Sequence, residues 1–551
     1  MNRLLRDIRD HLNLFFEQFV KRCPKTGCIV GVRRTSCLGA ILFPLIGLAA
    51  LIWFLVRIVP KPSRAAYPCQ RLAAGISGGF VAYLLGALVS LGIYRHLYKY
   101  RGKILSLLFI MACVLGGTLS VKMVATRGEP SDVRVLTARE GTNAPMGRGR
   151  GLYPGRVAWM QDFNATSWDG ENGNWWTDDN TNQQVVNAMF SKTLQGLAGK
   201  TSDTQAWDAL FCDHNKTRGR GERVYREGET IAIKINCNTD GNTTKKWENA
   251  GYPSPHMLNA LVYQLIETVG VKGEHILIVD PSRFINLNIY NKIRSNASAE
   301  FKKVRFVEKQ ARDLPGYESA QPDPNALIHF PMPDGKIHKM CFPTCYTQST
   351  YLINCALVRA HRVFGITSVA KNHFGAVWDF DKKVFHPGAL HAYALWDYPT
   401  PNKHGDPHSS PVLLGHQVTQ GKTLLYMADG LYTGIRQSGP ITRWSSMNND
   451  WFSSVLMSQD PVALESVVYD FIVNEKNLTD PNPSFNGHQD SQLHEAALAH
   501  RPPSGIRYDP ENDGTPLQSL GIHEHWNNPR DRQYSRNLGK NKGIELVATT
   551  P

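Results

Sequence analysis

The chain has 551 residues, with 61 Lys and Arg against 47 Asp and Glu, a formal charge of +14. That charge is uneven: residues 1–150 hold 22 basic and 6 acidic side chains, which leaves 39 basic and 41 acidic ones in residues 151–551. The larger part therefore has no net positive field to gather phosphates, which argues against nucleic acid as a partner, and 42% hydrophobic residues with 12 Trp exclude a wholly disordered chain.

Residues 1–36 are a basic segment in which Leu5, Ile8, Leu12, Phe15, Phe16 and Phe19 recur at helical spacing, as in a helix lying on the cytoplasmic leaflet. Three uncharged apolar runs follow at 37–56, 72–94 and 104–121, each bracketed by Arg or Lys. Each is close to the roughly 20 residues that cross a bilayer, so 37–125 reads as three transmembrane helices and the lipid bilayer is the first expected partner. Eight basic residues precede the first run and four lie between 57 and 71. The positive-inside rule then puts the N-terminus in the cytoplasm, and three crossings put the large domain on the opposite side of the membrane. Gly78, Ala82, Gly86 and Ser90 form one stripe of small residues, suited to packing against another span or a protein partner. Residues 126–154 are rich in Gly, Pro and Arg and read as a linker.

From 155 to 475 the pattern is strand, helix, strand. Ile231, Ile233 and Ile235 alternate with Ala232, Lys234 and Asn236, the period of a strand. Ser254-Pro255 supplies a helix cap and first position, Met257, Leu258, Leu261, Val262, Leu265 and Ile266 an apolar face, and Gly270 a stop. His275-Ile276-Leu277-Ile278-Val279-Asp280 reads as a second, buried strand. Such a βαβ unit is right-handed with parallel strands. It carries Lys234, Asn236, Asp280, Ser282 and Arg283 to the carboxyl edge of the sheet, where ligands of open α/β sheets bind. Further strands fit 351–358, 423–427 and 454–457, so the fold class is α/β with a mostly parallel sheet. Residues 476–551 read as a C-terminal extension.

The order of Lys234-Ile235-Asn236, Asp280, Ala370-Lys371-Asn372-His373-Phe374-Gly375, Met427-Ala428-Asp429-Gly430 and Ser458-Gln459-Asp460-Pro461 resembles the DUF362 family of uncharacterised bacterial and archaeal proteins. The resemblance implies an exported α/β domain but brings no accepted catalytic residues. Some members carry an iron–sulfur module. No C-x-x-C-x-x-C run exists here, so the resemblance implies no such cluster for this chain.

On the residues themselves, Lys234, Arg283 and Lys371 suit a cationic pocket for a carboxylate or phosphate, oriented by Asn236 and Asn372 with Asp280 and His373 beside them. Asp429, directly after a buried strand, suits a general base or a metal carboxylate as well as a turn; Lys371 is the other catalytic candidate. Asp460 before Pro461 suits a helix cap. Seven histidines crowd residues 361–416, among them His386 and His391 as metal-ligand candidates, with a divalent ion as the cofactor they would imply. His523-Glu524-His525 is a weaker signal of the same kind. Cys341 and Cys345 are spaced to form a disulfide in an oxidising compartment. The expected function is a membrane-anchored extracytoplasmic protein binding a small anion or a metal at its sheet edge, with no reaction assigned. The alternative is a non-catalytic accessory subunit of a larger membrane complex.

Overall fold

A computed structural model describes residues 20–22, 29–32, 51–52 and 144–549, apart from 239–248, 333–334, 362–363, 386–389, 391–403, 437–438 and 480–488. The chain divides into two units, Met1–Arg134 and Val135–Pro551. In the first, Val20–Arg22 pairs antiparallel with Ile29–Val32. The three apolar runs, and with them the expected transmembrane helices, lie outside the described residues except for Leu51 and Ile52. Among the described residues no helix is long and apolar enough to cross a membrane.

The second unit is built on a nine-stranded sheet. Its strands are β1 (Arg156–Gln161), β2 (Ile231–Lys234), β3 (Ile276–Asp280), β4 (Arg305–Glu308), β5 (Tyr317–Ser319), β6 (Tyr351–Leu357), β7 (Thr423–Gly430), β8 (Ser454–Ser458) and β9 (Glu545–Thr549). Their order across the sheet is β9-β1-β8-β7-β6-β2-β3-β4-β5. Only the β1–β8 and β8–β7 pairs are antiparallel, so the sheet is mostly parallel, as expected.

Alternation along the strands feeds two cores. Ala232, Leu277 and Val279 face one side with Ala428 and Leu456. Ile231, Ile233, Ile276, Ile278 and Met427 face the other. Helices α1 (Gln183–Ala198), α2 (Asp203–Thr217), α3 (Pro255–Tyr263) and α4 (Leu287–Arg294) cover the second side. Helices α5 (Val369–Asn372), α6 (Ser409–Gly415), α7 (Pro461–Val473) and α8 (Ser491–Ala497) cover the first. Strands buried on both faces carry near-continuous apolar runs, which is what β2, β3 and β7 show.

The expected βαβ unit is β2–α3–β3, its strands parallel with Ile231 beside Ile276. Ser254 Oγ accepts from the Met257 N–H with Pro255 next, and Gly270 closes the segment at φ 82°. Between them, Gln264–Val269 is wound as a π-helix rather than an α-helix. There the Gln264 side chain accepts from Trp207 Nε1 and donates to Asp203 Oδ2.

Two expected boundaries move. The end of the expected linker is built into the folded unit: Met146–Gly147 pairs with Ile522–His523, and the Arg150 N–H donates to Asp460 Oδ2. The reason is packing, since a Cβ on Gly147 would lie 2.2 Å from the Gly521 carbonyl oxygen. Residues 476–551, the C-terminal extension, also pack into the folded unit. They supply β9, which lies parallel to β1 with Arg156 Nε donating to Glu545 Oε2 at 2.8 Å.

Candidate functional site

The carboxyl ends of β2, β3, β6 and β7 point to one edge, and a polar cluster fills it. Lys234, the last residue of β2, is fully buried. Its Nζ lies 3.5 Å from Asp280 Oδ1 and donates to Asn372 Oδ1 at 3.2 Å and to the Ile235 carbonyl. Asp280, at the end of β3, accepts from the Cys237 N–H at 2.7 Å and from Ser282 Oγ at 3.1 Å. Asn372 returns from α5, its amide donating to the Lys234 carbonyl and to Asn354 Oδ1. Asn354, in β6, donates in turn to the Val369 carbonyl and to His373 Nε2. The α5 turn is held from below by Glu465 of α7, whose carboxylate accepts from the Ala370 N–H at 2.9 Å.

Beside this cluster lie two further cations. Lys371 is buried with its Nζ 3.8 Å from the Phe374 ring centre. Arg359 is wholly buried and donates to the Gly251 carbonyl and to Asn236 Oδ1. Burial pushes Lys371 well below the ordinary lysine range, and Arg359, Arg283 and Lys234 push it in the same direction. Burial also lowers Lys234, although Asp280 opposes it, and lowers Arg359 to about 10. His373 falls to about 3, chiefly through burial and then through Lys234, so its ring is neutral. With Nε2 accepting from Asn354, the proton sits on Nδ1, 3.1 Å from the Tyr346 hydroxyl.

A cavity of about 20 Å³ opens among these groups, lined by Lys234, Asn236, Asp280, Arg283, Lys371 and Gly375 with Asn238, Ser282 and Asn372. That is room for roughly one water or one anionic oxygen. Gly375 keeps it open: a Cβ there would lie 2.7 Å from Ser282 Oγ and 3.0 Å from Asp280 Oδ1.

Seven residues picked out from the sequence thus meet in one cavity: Lys234, Asn236, Asp280, Ser282, Arg283, Lys371 and Asn372. The others do not line it. His373 is a support, both of its nitrogens engaged by Asn354 and Tyr346. Asp429 is a bracket between β7 and α3: Oδ2 accepts from the Ser254 N–H at 2.7 Å and Oδ1 from the Leu431 N–H at 3.1 Å. Burial raises it to about 6. Asp460 caps α7 as expected, accepting from the Val462 and Ala463 N–H groups. His386 and His391 lie outside the described residues. Cys341 and Cys345 are free thiols rather than a disulfide. They sit on separate elements, a strand at Ile337–Pro343 and the turn Thr344–Thr347, and burial pushes each up to about 12. Arg359, Asn354, Glu465 and Gly375 escaped assignment from sequence. Gly375, adjoining the Lys371-Asn372-His373-Phe374 run, was the one with a local signal.

A wider cavity of about 400 Å³ opens at the opposite edge, beside the start of β7, lined by Arg150, Arg218, Asp213, His214 and Gln459 among others.

Residues 231–470 match the family model DUF362, a domain of unknown function. The matched span begins at β2 and ends within α7, so it contains the whole cluster described above. No curated protein matches the chain. Among solved structures, the lactate racemase apoprotein from Thermoanaerobacterium thermosaccharolyticum aligns at 10% identity with a TM-score of 0.24, over 60% of this chain and 62% of that one.

Proposed function

We propose that the carboxyl edge of the sheet binds the anionic group of a small molecule, a carboxylate or phosphate oxygen, in the cavity between Lys234, Arg283 and Lys371. The observation that carries this reading is the charge balance: among the described residues three cations line the cavity and Arg359 stands behind it, against the carboxylate of Asp280. Gathering cations out of water is costly, and an entering anion offsets that cost by interacting with all three at once. The same surplus repels a metal ion, so this edge favours the anion over the metal.

Lys371 gives the site a pH signature. An amine held below its usual range takes up a proton as the anion arrives, so affinity falls as pH rises through its pKa. Titration calorimetry of the full-length chain in detergent with sulfate and with formate, at pH 6 and 8, tests this. Binding that is tighter at pH 6, with proton uptake, and absent in Lys371→Met supports the reading. Equal affinity for chloride, or unchanged binding in Lys371→Met, overturns it.

In the same reading the apolar runs at 37–121 tether the chain to a bacterial inner membrane with the large unit outside. What supports this is their length and flanking charge. Resistance of the chain to alkaline extraction, and labelling of a cysteine introduced at exposed Ser202 from the periplasmic side only, are the expected results.

A further inference from the structure

Away from the sheet edge, four histidines surround one carboxylate. Asp490, wholly buried, precedes α8 and places its Oδ2 3.2 Å from His494 Nε2, 3.2 Å from His525 Nε2 and 3.9 Å from His523 Nε2. Its Oδ1 lies 2.8 Å from His404 Nε2. The elements explain the convergence. Asp490 and His494 are four apart, as on one helix face, and His523 and His525 are two apart in an extended segment, so their side chains project to the same side.

The outer nitrogens settle what the inner ones offer. Ser466 Oγ donates its one proton to the Val462 carbonyl at 2.7 Å and lies 2.8 Å from His523 Nδ1. Nδ1 must then be the donor to the serine, which leaves Nε2 a bare lone pair in a neutral ring. That Nε2 is buried with no hydrogen-bond partner among the described residues, and it faces a carboxylate oxygen that is also an acceptor. His525 repeats the arrangement. Its Nδ1 lies 2.6 Å from Asp470 Oδ1, while the other Asp470 oxygen accepts from the Trp526 N–H and the Tyr534 hydroxyl. A carboxylate or hydroxyl behind Nδ1, presenting Nε2 inward, is the support that metal-binding imidazoles carry.

We infer that His523, His525 and Asp490 bind a divalent transition-metal ion of the zinc class, with His494 and His404 on the more exposed side of the site. The ligand atoms of Asp490, His523 and His525 all lie within 4.8 Å of one another. Bonds of about 2.0–2.1 Å in a tetrahedron need ligand separations of about 3.3 Å, so contraction by well under 2 Å closes the site. Two imidazoles and one carboxylate leave a fourth position for His494 or a water. Nitrogen and oxygen donors without thiolate suit zinc, iron(II), nickel or copper(II) rather than magnesium or calcium. The inference is independent of the anion site.

The test uses the full-length chain without a polyhistidine tag, in detergent, dialysed against chelator and reloaded with Zn²⁺ or Co²⁺. Elemental analysis is expected to give one ion per chain, and Co²⁺ the intense visible bands of a four- or five-coordinate site. Asp490→Asn and His523→Gln are expected to weaken retention more than about 100-fold, and Ser466→Ala, which removes only the support, about 10-fold. His500→Gln, on the exposed surface, is expected to leave it unchanged. If Asp490→Asn fails to fold, His525→Gln reads the same loss. Iron rather than zinc in the chain as isolated also supports the site. No ion retained by the reloaded wild-type chain, or undiminished retention in His523→Gln and His525→Gln, overturns it.

Discussion

Lys234 and Lys371 line the same cavity, yet their replacement by methionine is expected to move stability in opposite directions. Lys234 is paired: Asp280 lies 3.5 Å away, and both side chains are out of water. Removing the lysine leaves a buried carboxylate without its cation, a loss of about 3–5 kcal/mol. Lys371 is surrounded by like charge from Arg359, Arg283 and Lys234, and its stem and amine lie against Phe364 and Phe374. Methionine there removes the repulsion, fits the same volume and keeps the aromatic contacts, a gain of about 1–3 kcal/mol. For a folded unit of roughly 400 residues, unfolding entropy of about 2.1 cal/mol/K per residue makes each kcal/mol about 1.2 °C. Lys234→Met should therefore melt about 4–6 °C lower and Lys371→Met about 1–4 °C higher. Differential scanning calorimetry without added anion measures both. A Lys371→Met variant that melts several degrees lower would refute the claim that this cation is held at a cost, out of water among like charges.

Three more outcomes are expected. Gly375→Ala places a methyl against Ser282 Oγ and Asp280 Oδ1, so it should cost about 1–3 kcal/mol by overpacking and cut sulfate affinity more than tenfold in calorimetry. Glu465→Ala removes the acceptor under α5, and denaturant titration should show a loss of about 1–3 kcal/mol together with weaker sulfate binding. Stability should also climb as pH rises from about 4 to 6.5. Burial holds His214 at about 2, His373 at about 3, and His256 and His416 at about 4. In that window the unfolded chain binds protons that the folded chain does not. Asp429 and Asp460 at about 6 and Glu465 at about 7 work the other way, keeping protons that the unfolded chain has lost. His408, at about 3, acts with the other histidines, and the remaining raised carboxylates Asp213, Glu495, Glu511 and Glu524 move by less, so the histidines set the sign. A urea midpoint that falls from pH 4.5 to 6.5 would contradict this.

What was legible in the sequence was local. The alternation of Ile231, Ile233 and Ile235, the Ser254-Pro255 cap and the aspartate after Ile276–Val279 each need only a short window, and each appears where its pattern puts it. The meeting of Lys234, Asn236 and Asp280 at one edge followed, because parallel strands deliver their last residues to one side. What escaped depended on elements meeting across long stretches of chain. Arg359 and Glu465 reach the cluster from outside any motif. The glycine-rich run at 147–151 has the composition of a tether, yet Gly147 is required by contact with Gly521. The short run Glu545–Thr549 gives no sign that it completes a sheet begun at Arg156. The histidines about Asp490 come from residues 404, 494, 523 and 525, and only the pairs 490/494 and 523/525 show a spacing.

The outermost pairing of the sheet joins Arg156 to Glu545, almost four hundred positions along the polypeptide. Until that late segment arrives, β1 presents a row of unsatisfied amides and carbonyls, an invitation to any extended peptide of similar pattern. The same five residues from a neighbouring molecule fit that ledge equally well. Crowded refolding should therefore yield exchanged dimers in which each copy lends its final strand to the other.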